Sequence, residues 1–329
     1  MDVVLVCKAP RGSRLGNRIT ALRWKNLLRE LGHHVVITSA LPRGAHDVVV
    51  ALHARLAAEA VRWSRQTHPS RPIVLALTGT DLYRDIHHDA DAKRSLALAD
   101  RLVVLHERAP LDVPEAFRAK VRVIRQSAPS STPRQTRARP QASTGFNVAF
   151  VAHLRAEKDP LRAAAAVRLL PATSSVRIVH VGRALSENLG AQAIEESRVN
   201  PRYEWLGEVT PARALRLIAG SKALLLTSLM EGGANVIGEA IMAGVPPITS
   251  RIPAAVAALG EKYPGFFPVG DTRGLARLLT RAEREPSFLA ELVRQTRARR
   301  PLFTARAEKS AWRALLAELR PKATRARSQ

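Results

Sequence analysis

The feature that most constrains this chain is an alternation. Short runs rich in valine, isoleucine and leucine recur between longer stretches of helical period, the pattern of parallel strands covered by helices in an α/β fold. In the first half the runs are VVLVC (3–7), HVVIT (34–38), DVVVALH (47–53), PIVLALT (72–78), RLVVLH (101–106) and VRVIRQS (121–127). SAPSSTPRQTRARPQASTG (127–145) then has proline, small polar residues and arginine but no apolar period, and reads as a linker. The alternation resumes with FNVAFVAH (146–153), VRIVHVG (176–182), YEWLG (203–207), ALLLTS (223–228), PPITS (246–250) and FFPVG (266–270). This predicts two doubly wound, Rossmann-like domains, residues 1–126 and 146–300, joined by the linker 127–145 and followed at 301–329 by a C-terminal helix and a basic tail. Open sheets of this kind bind ligands at the carboxyl ends of their strands, so two facing domains offer a cleft.

A length of 329 residues suits two such domains. The single cysteine, Cys7, excludes a disulfide framework and a cysteine-rich metal site, and makes a reducing, cytoplasmic setting the expectation. Nothing at the N-terminus resembles a signal peptide, and runs such as ALLLTSLM (223–230) are too short to span a bilayer, so a soluble protein is expected. The net charge of +24 draws any polyanion without choosing among them. Eleven lysines and arginines from Arg294 onward face only Glu308 and Glu318, which reads as a solvated face or tail. Aromatic residues are only 4% and no nucleic-acid motif is present, so nucleic-acid binding is a remote alternative.

Against that charge, MEGGANVIGEAIMAGVPPI (230–248) holds two carboxylates with seven residues between them. It follows the run ALLLTS. Gly232-Gly233 would make a tight turn, Asn235 would cap a helix VIGEAIMA, and Gly244 with Pro246 would end it. A turn feeding a helix N-terminus, here through Ala234, presents unpaired amides and the positive dipole end, a site for phosphate. Carboxylates beside bound phosphate would repel it, so Glu231 and Glu239 have hydroxyls as natural partners. A sugar nucleotide, ribose then diphosphate then hexose, has that layout.

The stretch resembles the Glu-x7-Glu signature of the retaining glycosyltransferase family 4, whose members have the two-domain GT-B fold. The resemblance implies that Glu239 holds the ribose and Glu231 lies near the hexose. AHLRAEKDP (152–160) resembles the family's Arg-x-x-x-Lys loop, shortened here to two residues between Arg155 and Lys158, and the resemblance implies that these two clamp the diphosphate; a planar guanidinium and a compact ammonium suit charge growing on a leaving group. RYEWLGEVTPARA (202–214), with Gly207, looks like the segment that closes on the nucleobase. Residues 146–300 are thereby the donor side and 1–126 the acceptor side. No metal or other cofactor is implied. DIHHDADAK (85–93), with Asp89 and Asp91 beside two histidines, is read as a polar loop.

In the first domain, PRGSRLGNRITALRWKNLLRELGHHV (10–35) resembles the family's glycine loop and following helix, although Gly12 and Gly16 fit neither GxGxxG nor a P-loop. Arg11, Arg14 and Arg18 surround it, with Asn17 among them, and point to an anionic acceptor. Three segments, SRLGNRITALRW, ALTGTDLYRD and SLMEGGANVIGEA, together resemble the selenosugar synthases of selenoneine biosynthesis. That likeness implies a donor, UDP-N-acetylglucosamine or UDP-glucose, and selenophosphate as acceptor. Where many family members carry His-Gly this chain has Thr78-Gly79-Thr80-Asp81. An anionic, polarizable selenium needs no general base, so that loss is tolerable. Asp81 and the loop arginines are then expected to meet the nucleophile. A glycosyltransferase of the same fold acting on a carbohydrate or lipid is the alternative. Association with a membrane is not expected, and the oligomeric state stays open.

Overall fold

A computed structural model describes residues 1–129 and 145–319. The expected linker (127–145) and basic tail thus lie largely outside the described residues. The chain divides into two compact units, Met1–Arg125 with the segment from Ala305 onward, and Gln126–Thr304.

The first unit contains β1 (Asp2–Val6), β2 (His34–Thr38), β3 (Val48–Leu52), β4 (Ile73–Ala76), β5 (Arg101–Val104) and β6 (Val121–Val123), in the order β2-β1-β3-β4-β5-β6 with every pairing parallel. The second contains β7 (Phe146–Val151), β8 (Val176–Val181), β9 (Tyr203–Trp205), β10 (Ala223–Leu226), β11 (Pro247–Ser250) and β12 (Phe266–Phe267), in the order β12-β11-β10-β7-β8-β9, again all parallel. Every strand overlaps one of the apolar runs read from the sequence, and only β1 begins outside its run, one residue early at Asp2. The central strands β3, β4 and β10 are buried along their whole length, which is why they read as continuous runs rather than alternating ones.

Helices fill the connections. In chain order they are α1 (Gly16–Glu30), α2 (Ala58–Thr67), α3 (Ile86–His88), α4 (Ala90–Leu98), α5 (Arg162–Arg168), α6 (Glu187–Val199), α7 (Pro211–Ala219), α8 (Asn235–Ala243), α9 (Pro253–Leu259), α10 (Thr272–Arg284), α11 (Pro286–Ala298) and α12 (Ala305–Glu318). A π-helical turn at Asp81–Asp85 precedes α3. Parallel strands set all carboxyl ends of a sheet on one edge, the edge where open sheets of this kind bind ligands.

The last helix belongs to the first unit. Trp312 meets Trp24 of α1 edge to face at 4.9 Å between centroids, and both rings are buried. The Trp24 indole N–H donates to Glu308 Oε1 at 2.9 Å. At the far end of α12, Glu318 accepts from Arg101 of β5 and Arg122 of β6 at 3.0 and 2.8 Å.

Candidate active site

The loops after β7 and β10 are laced together. Thr227, the first residue beyond β10, shares its hydroxyl proton between the carbonyls of Lys158 and Asp159 at 2.8 and 3.0 Å. The Leu229 amide donates to the Glu157 carbonyl at 2.9 Å. Asp159 takes a left-handed conformation, φ 44°, and turns the chain toward α5. On this frame the Lys158 ammonium forms an ion pair with Glu231 Oε1, and the Ser228 hydroxyl donates to the same oxygen at 2.6 Å. The two charged side chains are only 17% and 11% exposed, so solvent screens the pair weakly. Arg155 is more open and sits 3.8 Å from Glu157.

Beyond Glu231 the chain passes Gly232 and Gly233 to Ala234, which is buried at φ 45° and ψ 54°. The N-cap is therefore Ala234, and Asn235 is the first residue of α8. This corrects the expectation that Asn235 caps the helix: the reversal of the chain falls on the residue before it, and the Ala234 carbonyl accepts the Ile237 amide at 2.8 Å. Gly244, at φ 77°, ends the helix as expected. The first amides of α8 carry the positive dipole end, and Glu239, partly exposed, lies one turn further on.

At the carboxyl ends of β8 and β9, the Gly182 amide donates to the Gly207 carbonyl at 2.8 Å, and the Trp205 indole donates to the Gly182 carbonyl at 2.9 Å. A Cβ at Gly182 would lie 1.8 Å from the Ala152 carbonyl oxygen, so only glycine fits there. Gly207 is left-handed at φ 69°. Inside, His180 donates from Nε2 to the Ala152 carbonyl at 2.9 Å and accepts the Tyr203 hydroxyl at 2.7 Å. Burial pushes this imidazole down to about 4.

The first unit departs from expectation at Asp81. Its carboxylate is fully buried and accepts the amides of Ala54 (2.9 Å), Thr78 (2.9 Å) and Gly79 (2.8 Å). Asp81 thus fastens the loop after β4 to the loop after β3, with no oxygen turned to a nucleophile. Two histidines that end strand runs are drawn into the same loop. His53 Nε2 lies 3.1 Å from Thr80 Oγ1, and His106 Nε2 lies 2.8 Å from Tyr83 Oη. Burial, with Arg125 beside it, pushes the His106 imidazole down to about 4. Asp85 is buried between Arg55 and Arg84 at 3.0 and 2.9 Å; burial alone would raise its carboxyl, but the two guanidiniums hold it below the usual range. In the sequence both histidines read only as the ends of apolar runs, at the edge where such sheets bind ligands.

Arg11 and Arg14 are exposed around Gly12 (φ 79°), and Gly16 and Asn17 open α1. Arg11 and Arg18 line a cavity of about 520 Å³ together with Lys25, Arg29 and His34, so these arginines contribute to a broader basic surface along α1 and β2. Asp89 caps α4 by accepting the Ala92 amide at 2.8 Å, and Asp91 lies 3.5 Å from Arg62. Among the described residues no three His, Cys, Asp or Glu side chains are grouped as a metal site requires, and no helix is long and apolar enough to cross a membrane.

Two parallel six-stranded Rossmann-like sheets with these loops at their carboxyl edges define the GT-B fold of glycosyltransferases. Similar folds include HepE of Anabaena bound to UDP-glucose (16% identity over 96% of this chain and 100% of that one, TM-score 0.77) and sucrose-phosphate synthase of Thermosynechococcus elongatus (13% identity, 97% and 98%, TM-score 0.78). A glycosyltransferase of Rickettsia africae is a third (12% identity, 97% and 98%, TM-score 0.70). The family described as "Glycosyl transferases group 1" matches residues 132–299, half of the chain. The chain belongs to that family. No curated protein matches it in sequence.

Proposed function

We propose that this enzyme transfers a hexose from a UDP-sugar, UDP-N-acetylglucosamine or UDP-glucose, to selenophosphate. The observation that carries the donor half is the arrangement around α8: Lys158 and Glu231 paired at the entrance to a helix N-terminus, with Glu239 one turn along. In this reading the diphosphate accepts the first amides of α8, Lys158 and Arg155 take up the charge that grows as the glycosidic bond breaks, and Glu239 accepts from the ribose hydroxyls. Glu231 accepts from a hexose hydroxyl. Gly207 lies on the segment beside the nucleobase. HepE, of similar fold, has been crystallised with UDP and with UDP-glucose, which supports the choice of nucleotide.

The acceptor half rests on the likeness of three segments to the selenosugar synthases and on the basic residues around the first loop. Selenium attacks the anomeric carbon, the carbon–oxygen bond to the β-phosphate breaks, and UDP departs with the electron pair. Arg11, Arg14 and Arg18, with Gly12, Gly16 and Asn17, are the proposed selenophosphate side; Thr78, Gly79 and Thr80, on the loop after β4 at the same unit's carboxyl edge and held by Asp81, are further candidates. Neither nucleic acid nor a metal ion enters the reaction. Anaerobic selenophosphate with either UDP-sugar should release UDP and form a selenium-bearing sugar in the presence of EDTA. Efficient transfer to a neutral sugar or lipid without any seleno-sugar would leave the fold and family intact and remove selenophosphate.

A further inference from the structure

We propose that His53 is a positioning residue that aims the Thr80 hydroxyl at an oxygen of the substrate. His53 follows β3 with φ 80°, a left-handed conformation that a side chain of this size rarely adopts. Its amide donates to the Ala76 carbonyl at 2.9 Å, which ties the end of β3 to the end of β4. Nδ1 accepts the Leu56 amide at 3.3 Å. That bond places the ring proton on Nε2, which donates it to Thr80 Oγ1 at 3.1 Å. Thr80 Oγ1 is therefore an acceptor toward His53, and its own proton must point elsewhere. The imidazole is 6% exposed and Asp85 Oδ2 lies 3.8 Å from the same Nε2, beyond hydrogen-bond reach, whereas Thr80 is partly open, so its hydroxyl proton has solvent or a ligand as its partner.

The arrangement is repeated on the other side of the same loop. His106 follows β5, accepts the Ala109 amide on Nδ1 at 3.1 Å and donates from Nε2 to the Tyr83 hydroxyl at 2.8 Å. Between the two hydroxyls, Asp81 gathers three backbone amides and a π-helical turn begins, a distortion that is frequent at functional sites. A loop pinned at Thr80, Asp81 and Tyr83 loses little on meeting a ligand, because its groups are already in place. The donor Thr80 presents suits an oxygen lone pair, supplied by the transferred sugar or by an acceptor phosphate.

This inference rests on the transferase reading, and the test separates the two. Calorimetry with UDP, and kinetics with UDP-sugar and selenophosphate (or UDP release to water, should that acceptor not react), would be compared for the wild type, T80V, T80S and H53F. T80V keeps the shape of the side chain and removes its hydroxyl. Its kcat/KM should fall about three- to tenfold, the worth of one hydrogen bond, while T80S stays close to wild type. H53F should fall similarly, and the double variant should be no worse than either single one, because both remove the same contact. A raised KM for the UDP-sugar assigns the oxygen to the hexose, and one for selenophosphate assigns it to the acceptor. UDP affinity should be unchanged throughout. Wild-type kcat/KM in T80V, with UDP bound normally, overturns the inference; a wild type that binds no UDP removes the transferase reading and the inference with it.

Discussion

Lys158 and Glu231 form an ion pair that joins the loop after β7 to the loop after β10 across 73 positions of sequence. Each side chain is mostly buried, and Ser228 donates to the same carboxylate oxygen, so the pair is a fixed part of the loop framework as well as a group facing the proposed donor.

Its removal should be felt twice. Lys158→Ala leaves Glu231 with Ser228 but without a countercharge, a loss of about 1–3 kcal/mol in stability. The same variant, like Arg155→Ala, should lower turnover more than donor affinity, since charge on the diphosphate is greatest in the transition state. Thermal denaturation read beside kcat and the UDP dissociation constant checks both effects, and a raised KM at normal kcat would show that the lysine serves ground-state binding alone.

Asp81→Asn should behave as a folding variant. An amide in place of the carboxylate turns a donor toward one of the three backbone amides now bound, and bonds to a charged acceptor contribute about 1.5–3 kcal/mol each. A fall of about 3 kcal/mol in the stability of the first unit is expected, with UDP affinity preserved because the proposed nucleotide residues lie on the second unit. Chemical denaturation and calorimetric titration on one preparation read the two quantities. A stable Asp81→Asn protein with lost turnover would return Asp81 to the reacting groups.

The strands were legible in the sequence because a strand buried on both faces must be an unbroken apolar run, and the centres of both sheets are of that kind. Conformation at single residues was not. Nothing in the composition of EGGAN marks alanine, rather than a glycine, as left-handed. Asp81 looks the same in sequence whether its carboxylate faces water or a ring of backbone amides. His53 and His106 stood at the ends of the runs 47–53 and 101–106 and were absorbed as strand residues. Their partners, Thr80 and Tyr83, lie beyond β4, the strand between β3 and β5, so the neighbourhood follows once the strand order is known. Helix α12 gives no local sign of which sheet receives it; Trp312, Leu315 and Leu316, large apolar side chains among charged ones, say only that something must.

Glu239 is the prediction closest to ligand binding. Its carboxylate lies one turn into α8 and is partly exposed, placed to accept hydroxyl protons. Loss of a hydrogen bond to a charged acceptor costs about 1.5–3 kcal/mol. Glu239→Ala should therefore weaken UDP binding by roughly one to two orders of magnitude. Uracil alone, which carries no ribose, should bind the variant and the wild type equally, and UDP affinity at the wild-type level would take Glu239 out of the ribose site.

Acid should destabilise the two units through separate groups. His106 in the first unit and His180 in the second are both buried, and burial holds each near 4 against an ordinary 6.5. In the unfolded chain either ring binds a proton below about pH 6.5, whereas in the folded protein it resists until about pH 4. The unfolded state thus carries more protons in that window, so stability is complete above about pH 6.5 and falls as the pH drops toward 4. The difference amounts to about 3 kcal/mol for each histidine. His180→Gln should lower stability at neutral pH, because the bonds to Ala152 and Tyr203 are disturbed, and should also remove the part of the acid sensitivity that belongs to the second unit. Denaturation midpoints from pH 7.5 to 4.5 for the wild type, His180→Gln and His106→Gln would show whether each substitution flattens the pH profile; a profile unchanged by both would mean that other groups govern the acid limb.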